Sequence, residues 1–165
     1  MVNANTQLYK KATTFEKCPT YIADPLTVTI SPDPFVLGKP NTFTISGKLS
    51  ADINNQTVVE ISFADKFESL LEPMSTSPVC TQCPISAGSQ FSTVATVNVP
   101  ASLPDIYSVM IEITDRLNQP PKLLGCAYYI STSTTITTSA SSSVPTKTAS
   151  GYPTAATSGS EKIER

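Results

Sequence analysis

The feature of this sequence that most constrains its fold is an alternation of apolar and polar residues with a period of two. In the clearest segment, Glu60 and Ser62 separate Val59, Ile61 and Phe63. Successive side chains of a β-strand point to opposite faces of a sheet, so such a segment predicts a half-buried strand. Six segments between Cys18 and Ile130 are interpreted as strands: 26–30, 42–46, 59–63, 91–99, 107–114 and 123–130.

Turn-forming residues separate these six segments. Pro32-Asp33-Pro34 and Gly38-Lys39-Pro40 are two examples, and the chain contains 14 Pro in total. Only residues 65–71 suggest a short helical turn. Turns at this spacing, with little helical periodicity, predict an all-β fold: an antiparallel β-sandwich of about seven strands with a two-layered core.

The composition excludes several classes of function. The chain has no His, which removes Ser-His-Asp and Cys-His catalysis and His-ligated metal sites. Between residues 18 and 130, five Lys and Arg stand against ten Asp and Glu, the wrong charge balance for a nucleic-acid partner. No apolar run approaches the roughly 20 residues of a membrane-spanning helix. We therefore expect no imidazole-dependent catalysis and no bound metal or cofactor.

The composition changes after Ile130. Of the 30 residues from 131 to 160, 18 are Ser or Thr, which is typical of a disordered tail or an O-glycosylated stalk. We predict an N-terminal extension over residues 1–14, a folded domain over 15–131 and a disordered tail over 132–165. The first residues lack the basic and apolar regions of a secretory signal, so we expect such a signal to lie outside this sequence.

Four Cys residues allow three disulfide pairings, and sequence alone does not choose among them. A bridge from Cys18 to Cys126 would tie the ends of the domain together and stabilise it by up to ~4–5 kcal/mol. Cys80 and Cys83 lie in one proline-flanked loop, where a local disulfide, half of a zinc site and a thiol redox pair compete as interpretations. The disulfide is favoured, because a second close Cys pair, a His and a helical context are all missing.

Five segments, taken in order, resemble the ML lipid-recognition domain. This family includes the Niemann-Pick type C sterol-transfer proteins, the fungal phosphatidylglycerol/phosphatidylinositol transfer proteins and the group-two mite allergens. The resemblance covers residues 15–131. The segments are Phe15-Glu16-Lys17-Cys18, Ile30-Ser31-Pro32-Asp33-Pro34 with Gly38, Cys83-Pro84-Ile85 with Gly88, Leu103-Pro104-Asp105-Ile106-Tyr107, and Leu124-Gly125-Cys126.

The resemblance implies an immunoglobulin-like sandwich whose sheets separate to leave an apolar cavity for a lipid tail or a sterol. It also implies the pairings Cys18 with Cys126 and Cys80 with Cys83. Two departures are visible: the spacing of Cys80 and Cys83 is short for the family, and a hairpin disulfide of the animal sterol carriers has no counterpart. Both departures place the chain nearer the fungal phospholipid-transfer branch.

Inward-facing strand residues would line such a cavity, although the same positions would form the ordinary core of any sandwich. The resemblance places the mouth of the cavity between two loops, with Leu70, Leu71 and Met74 on one side and Ala101 and Leu103 on the other. The predicted cavity residues are Phe43, Ile45, Val59, Ile61, Phe63, Phe91, Val97, Tyr107, Val109, Ile111 and Ile113.

With the resemblance, these observations predict a non-enzymatic monomer that binds a phospholipid or a sterol and carries it between membranes, touching membrane surfaces transiently. We expect it in the secreted space or in a vacuolar or lysosomal lumen, and Asn55-Gln56-Thr57 is a glycosylation sequon in a predicted turn. Two alternatives stay open. One is a surface adhesion or recognition module with a filled core on a glycosylated stalk, and the other is a thiol oxidoreductase that uses Cys80 and Cys83.

Overall fold

The computed structural model describes residues 12–19 and 21–131. All regular secondary structure within these ranges is β-strand, which confirms the predicted all-β class. These residues contain no helix long and apolar enough to cross a membrane. The predicted tail and most of the predicted N-terminal extension lie outside the described ranges. The strands are β1 (Glu16–Lys17), β2 (Asp24–Pro25), β3 (Thr27–Ser31), β4 (Pro40–Lys48), β5 (Thr57–Asp65), β6 (Ser75–Pro78), β7 (Gln90–Asn98), β8 (Tyr107–Asp115) and β9 (Lys122–Ile130).

The strands form two sheets that pack face to face in an immunoglobulin-like sandwich. One sheet has six strands in the order β1-β9-β8-β5-β6, with β2 added beside β9, and the other has the order β3-β4-β7. Neighbouring strands are antiparallel except β2 and β9, which are parallel. The six predicted strands are β3, β4, β5, β7, β8 and β9. The other three have only two to four residues, too few for periodicity to detect.

The core lies between the two sheets and contains the inward half of each alternating segment. On β5, Val59 and Ile61 lie opposite Ile113 and Ile111 of β8, and all four are almost completely buried. Burying one such side chain contributes about 1.5–3 kcal/mol. A shift of one residue in the pairing would expose the whole set, so the alternation also fixes the register.

Two disulfides are present, with the pairings that the resemblance implies. Cys18 bonds to Cys126 on β9, and Cys80 bonds to Cys83 in the loop between β6 and β7. The first bridge joins residues 108 positions apart, so it closes a large loop of the unfolded chain. In the chain-entropy model, closing a loop of this size stabilises the fold by up to ~4–5 kcal/mol.

The short helical turn predicted over residues 65–71 is wrong. The Oδ1 atom of Asp65 accepts hydrogen bonds from the backbone N–H groups of Phe67 (2.8 Å) and Ser69 (3.0 Å). Glu68 has a φ of 63°, which lies outside the right-handed helical region. The side chain of Asp65 therefore stabilises a tight turn in place of a helix.

Strand directions bring one group of loops together. In the six-stranded sheet, Asp65 at the end of β5 lies opposite Tyr107 at the start of β8, and β9 ends beside them. In the three-stranded sheet, β3 and β7 end where β4 begins. We call this the pocket end of the sandwich, and it carries the loops 32–39, 66–74 and 99–106. The other end carries the connections 49–56 and 116–121.

Candidate functional site

The structure brings the eleven predicted cavity residues together between the sheets. Ten of them are buried members of one hydrophobic core, and Tyr107 packs half-buried against it. Burial in one contiguous cluster is also what the filled core of any sandwich requires. The role of these residues as ligand contacts therefore stays a prediction.

An open cavity of about 390 Å³ lies at the pocket end, and we call it the end pocket. Its volume falls in the usual range of ligand sites, about 300–1,000 Å³. Phe35, Leu37, Leu103 and the rings of Tyr107 and Tyr129 supply its apolar wall. The remaining lining residues are Thr13, Pro34, Pro104, Asp105 and Ser131, of which only Asp105 is charged.

Phe35 connects the end pocket with the core. It lies in the loop after β3, yet only 7% of its surface is exposed. Its ring centroid is 5.9 Å from that of Phe43 on β4 and 5.8 Å from that of Phe63 on β5. It therefore contacts both sheets, and a T-shaped contact with Tyr129 (6.3 Å between centroids) adds to this aromatic cluster. The ring is at once a wall of the pocket and a cover over the inter-sheet core.

Asn41 holds the loop that carries Phe35. It lies at an inward position of β4 and is completely buried. Its Nδ2 atom donates a hydrogen bond to the carbonyl oxygen of Pro32 (2.8 Å), and its Oδ1 atom accepts one from the N–H group of Val36 (3.4 Å). One side chain thereby fixes the loop on both sides of Phe35. A buried amide without partners costs about 1–3 kcal/mol. The two hydrogen bonds avoid this cost, and they hold the loop in place over the core.

Phenol groups give the end pocket a polar edge. The ring centroids of Tyr107 and Tyr129 are 6.0 Å apart in a T-shaped arrangement. Burial raises the pKa of Tyr107 to about 12, and the neighbouring Tyr129 phenol adds to the increase, while the Ser131 hydroxyl opposes it. The Tyr107 hydroxyl is therefore neutral at physiological pH and can donate or accept a hydrogen bond. The pocket can accommodate an apolar body with a hydroxyl or ester oxygen at this edge.

The five predicted mouth residues lie at the pocket end in different environments. Leu70, Met74 and Ala101 are exposed, whereas Leu71 is half-buried against the core. Leu103 is half-buried and lines the end pocket. The structure thus connects Leu103 with the pocket, and the role of the other four as a mouth stays a prediction.

Exposed large apolar side chains are concentrated at the pocket end. Among the described residues, eleven such side chains are exposed, and only Tyr21, Ile22, Val94 and Leu117 lie elsewhere. Large exposed apolar patches mark sites of contact with a partner or a membrane. The other seven, which we call the apolar rim, are Val36, Leu37, Phe67, Leu70, Met74, Ile106 and Ile130.

A second open cavity, of about 440 Å³, lies near the start of β9 at the other end of the sandwich. Lys17, Asp24 and Lys122 are among its lining residues, together with the core residue Leu124. The Oδ2 atom of Asp24 accepts a hydrogen bond from the N–H group of Ser50 (2.6 Å). Three charged side chains make this opposite-end pocket a poor environment for an apolar ligand.

Two other predicted features lie away from the end pocket. Cys80 and Cys83 are bonded to each other, and no helix among the described residues begins at this pair, although a helix start is one environment that lowers a thiol pKa. Asn55 is exposed in the turn before β5, as the predicted sequon requires. Its glycosylation stays a prediction.

A model of the ML domain family matches residues 12–127, which include most of the sandwich. The chain belongs to the ML domain family. This is the lipid-recognition family that the five ordered segments resemble, and the match includes every residue of the two disulfides.

Comparisons with solved structures give distant neighbours of this ML domain. Chicken MD-1, solved in complex with lipid IVa, is 12% identical, with a TM-score of 0.47 over 72% of this chain and 88% of MD-1. A β-glucuronidase of glycoside hydrolase family 2 is 11% identical, with a TM-score of 0.41 over 64% of this chain and 11% of the enzyme. The sporulation control protein Spo0M of Bacillus subtilis is 15% identical, with a TM-score of 0.36 over 62% and 48%. No curated protein sequence matches this chain.

Sequence reasoning missed three residues that shape the end pocket of this ML domain: Phe35, Asn41 and Tyr129. Phe35 could have been found by the argument that selected Leu70 and Leu71, since it too is an apolar residue in a loop. Asn41 is a polar residue at an inward position of an otherwise alternating strand, which is also a readable signal. Tyr129 gave no signal, because β9 is apolar on both faces.

Proposed function

We propose that this ML domain binds a single lipid, with the apolar part of the lipid between the two sheets and its polar part in the end pocket. The function is the transfer of a phospholipid or a sterol between membranes, without making or breaking a covalent bond. Each CH₂ group removed from water contributes about 0.8 kcal/mol, so a carrier needs a dry apolar interior.

The observation that carries the proposal is the position of Phe35. One ring lines a surface cavity and also contacts aromatic residues of both sheets. Displacing this single ring would connect the end pocket with the apolar core. A lipid chain could then enter between the sheets by replacing contacts of Phe35 with Phe43 and Phe63.

The apolar rim supports a role in membrane contact. A carrier must receive its lipid without exposing the lipid chain to water, which favours docking of the pocket mouth on the bilayer surface. Phe67 is the most exposed member of the rim, at 74%. Lys66 lies over its ring, with the Nζ atom 4.9 Å from the centroid, and an ammonium group beside an aromatic ring is suited to the interface of a bilayer.

The same proposal includes an oxidising compartment, either the secreted space or a vacuolar or lysosomal lumen. Two disulfides support it, because such bonds form and persist mainly outside the cytosol. For the polar part of the ligand, we propose a hydroxyl or ester group beside Tyr107. Phosphatidylinositol, phosphatidylglycerol and a sterol all carry such a group.

The direct test measures lipid uptake by the purified and delipidated full-length chain. Fluorescent phosphatidylglycerol, phosphatidylinositol and sterol are offered separately, and transfer between donor and acceptor vesicles is followed by energy transfer. We expect saturable uptake of one lipid per chain and transfer that rises with protein concentration. No uptake of any of the three lipids, together with no lipid in extracts of the protein as first purified, would contradict the proposal and favour the adhesion module.

A matched pair of variants tests the rim. Phe67 and Leu117 are similarly exposed, at 74% and 69%, but they lie at opposite ends of the sandwich. Phe67→Asp should slow vesicle-to-vesicle transfer, because a carboxylate resists insertion at a bilayer, while Leu117→Asp should leave the transfer rate unchanged. Equal rates for the two variants would show that the rim takes no part in membrane contact.

A further inference from the structure

Strand β7 forms a long unprotected edge of the three-stranded sheet. Its nine residues pair with β4 on one side, and no other described strand pairs with it on the other side. Unpaired edges are usually short, charged, interrupted by Pro or covered, since an open edge is a template for another strand. The other edges follow this rule: β1 has two residues with opposite charges, β6 ends at Pro78, and β3 has only five residues.

β7 has none of these protective features. Its sequence, Gln-Phe-Ser-Thr-Val-Ala-Thr-Val-Asn, contains no charged residue and no Pro. Its outward side chains are small or neutral, and Val94 at the centre of the strand is 59% exposed. The outward residues of the other two strands of this sheet, β3 and β4, are Ser and Thr except for Pro40 and Lys48 at the two ends of β4. No cluster of like charges would oppose a second sheet at this edge.

The hydrogen-bond pattern shows which backbone groups of β7 face the open side. The N–H group of Val99, just after β7, donates to the carbonyl oxygen of Lys39 (3.0 Å), and Asn98 lies opposite Pro40, which has no N–H group. Backbone groups of an antiparallel strand alternate between its two neighbours. The odd-numbered residues of β7 therefore bond to β4, and the N–H and C=O groups of Ser92, Val94 and Thr96 point to the open edge.

These groups are self-complementary about a two-fold axis through Val94. In an antiparallel pair of two β7 strands, Val94 would lie opposite Val94 of the second copy, and Ser92 would lie opposite Thr96. Gln90 would lie opposite Asn98, so that valine meets valine, hydroxyl meets hydroxyl and amide meets amide. An isologous interface requires a patch of this kind.

We propose that two copies of this chain pair along β7, antiparallel and centred on Val94, which joins their three-stranded sheets into one continuous six-stranded sheet. This differs from the monomer expected from the sequence. None of the residues that line the end pocket lies on β7, so the dimer leaves both end pockets open. The inference is independent of the proposed lipid function.

A cysteine scan of the full-length chain tests the register directly. Hydrogen-bonded antiparallel partners have Cα atoms about 5.5 Å apart, within disulfide range, and all four described Cys residues are already bonded. Val94→Cys should form a disulfide-linked dimer in air, seen on a non-reducing gel. Thr44→Cys is the matched control, since Thr44 lies opposite Val94 on β4 with its side chain exposed, and it should stay unlinked. Equal cross-linking of the two variants would overturn the proposed pairing.

Sedimentation of the unmodified chain and of Val94→Lys gives a second readout. The unmodified chain should show a concentration-dependent monomer–dimer equilibrium. Two lysines placed opposite each other should weaken it roughly tenfold, because like charges repel across a strand pair. In hydrogen exchange, the amides of Ser92, Val94 and Thr96 should become more protected as the concentration rises. The proposal would be overturned by a chain that stays monomeric at all concentrations. It would also be overturned by amide protection that does not depend on concentration, because such protection indicates that another part of the same chain covers the edge.

Discussion

The two ends of the sandwich each carry an open cavity, and the larger of the two is the poorer candidate for a lipid. The opposite-end pocket has about 440 Å³ and charged lining residues, whereas the end pocket has about 390 Å³ and an aromatic wall. The difference lies in how each cavity meets the core. Phe35 joins the end pocket to aromatic rings of both sheets. The opposite-end pocket reaches the core at its Leu124 wall, and its Asp24 accepts a hydrogen bond from a backbone N–H group at the surface. Contact with both sheets and an uncharged apolar wall therefore identify the candidate site better than volume does.

The largest expected effect follows from Phe35→Ala. Loss of a buried aromatic ring should lower the free energy of unfolding by about 3–5 kcal/mol. It should also connect the end pocket with the core and speed the uptake of a fluorescent lipid. Denaturant unfolding and stopped-flow fluorescence measure the two effects.

Phe91→Ala is the control for this variant. Phe91 is similarly buried but lies opposite Gly47, away from the end pocket. We expect a comparable loss of stability without faster uptake. If both variants speed uptake equally, general loosening of the core explains the effect, and Phe35 has no special role at the pocket.

Asn41→Ala should loosen the pocket end specifically. Removing the amide leaves the carbonyl group of Pro32 and the N–H group of Val36 without their buried partner, at a cost of about 1–3 kcal/mol. Denaturant unfolding should show this loss, and hydrogen exchange should show faster exchange of the Val36 amide. The exposed Asn98→Ala should change stability by less than about 0.5 kcal/mol. Unchanged exchange at Val36 would contradict the positioning role of Asn41.

Gly125→Ala should destabilise the fold away from the pocket end without changing the end pocket. A Cβ atom at this position would lie 2.8 Å from Cδ2 of Leu26 and 2.9 Å from Cδ2 of Leu49. Such overpacking costs about 1–3 kcal/mol. Thermal unfolding should show the loss, while lipid uptake at temperatures well below the transition should match that of the unmodified chain. Gly47→Ala is the control: the nearest contact of its added Cβ atom would be 3.3 Å, so it should lose less stability. Altered lipid uptake in Gly125→Ala but not in Gly47→Ala would contradict the proposed difference between the two ends.

The smallest effect on stability is expected for Glu112→Gln, on the outer face of the six-stranded sheet between the two ends. Burial raises the pKa of Glu112 above 4.5, and the neighbouring carboxylate of Glu60 adds to the shift. As pH rises above 4.5, the unfolded chain releases this proton before the folded chain does, so the free energy of unfolding falls. Glu112→Gln should remove that loss and raise the melting temperature slightly at pH 7, with a smaller gain near pH 4.

Glu72→Gln, a change at an exposed carboxylate, serves as the control for that pH series. Its melting temperature should follow that of the unmodified chain across the range. A gain for Glu112→Gln that is as large near pH 4 as at pH 7 would show that the carboxylate charge is not its cause.

Much of the fold could be predicted because the alternation of a long strand is a local property. The alternation around Val59, Ile61 and Phe63 follows from the pleat of a single strand, and the core positions follow from the alternation. Residues 65–71 show where local reasoning was insufficient, since the carboxylate of Asp65 selected a turn over a helix. Two-residue strands such as β1 form only because β9 offers them a partner, and no periodicity marks them.

The candidate site was predicted only in part. The sequence marked its strand residues as inward-facing and placed Leu103 near a mouth. It did not indicate that a loop residue, Phe35, would cover the core, because that depends on the distance between two sheets and on the buried amide of Asn41. Nor did it indicate that β7 would be an edge, since an edge is defined by the absence of a neighbour in three dimensions.

By itself, the sequence determined the class of the fold, the inward face of each long strand, the acidic charge balance of residues 18–130 and the absence of an imidazole side chain. These properties depend on residue type and spacing, which act within one strand or over the whole chain. The tertiary structure decided which loops meet at the pocket end, which cavity is lined by a ring that contacts both sheets and which strand is left unpaired. Those outcomes depend on the packing of residues far apart in sequence, such as Phe35 against Phe63 and Tyr129, and local periodicity contains no information about such contacts.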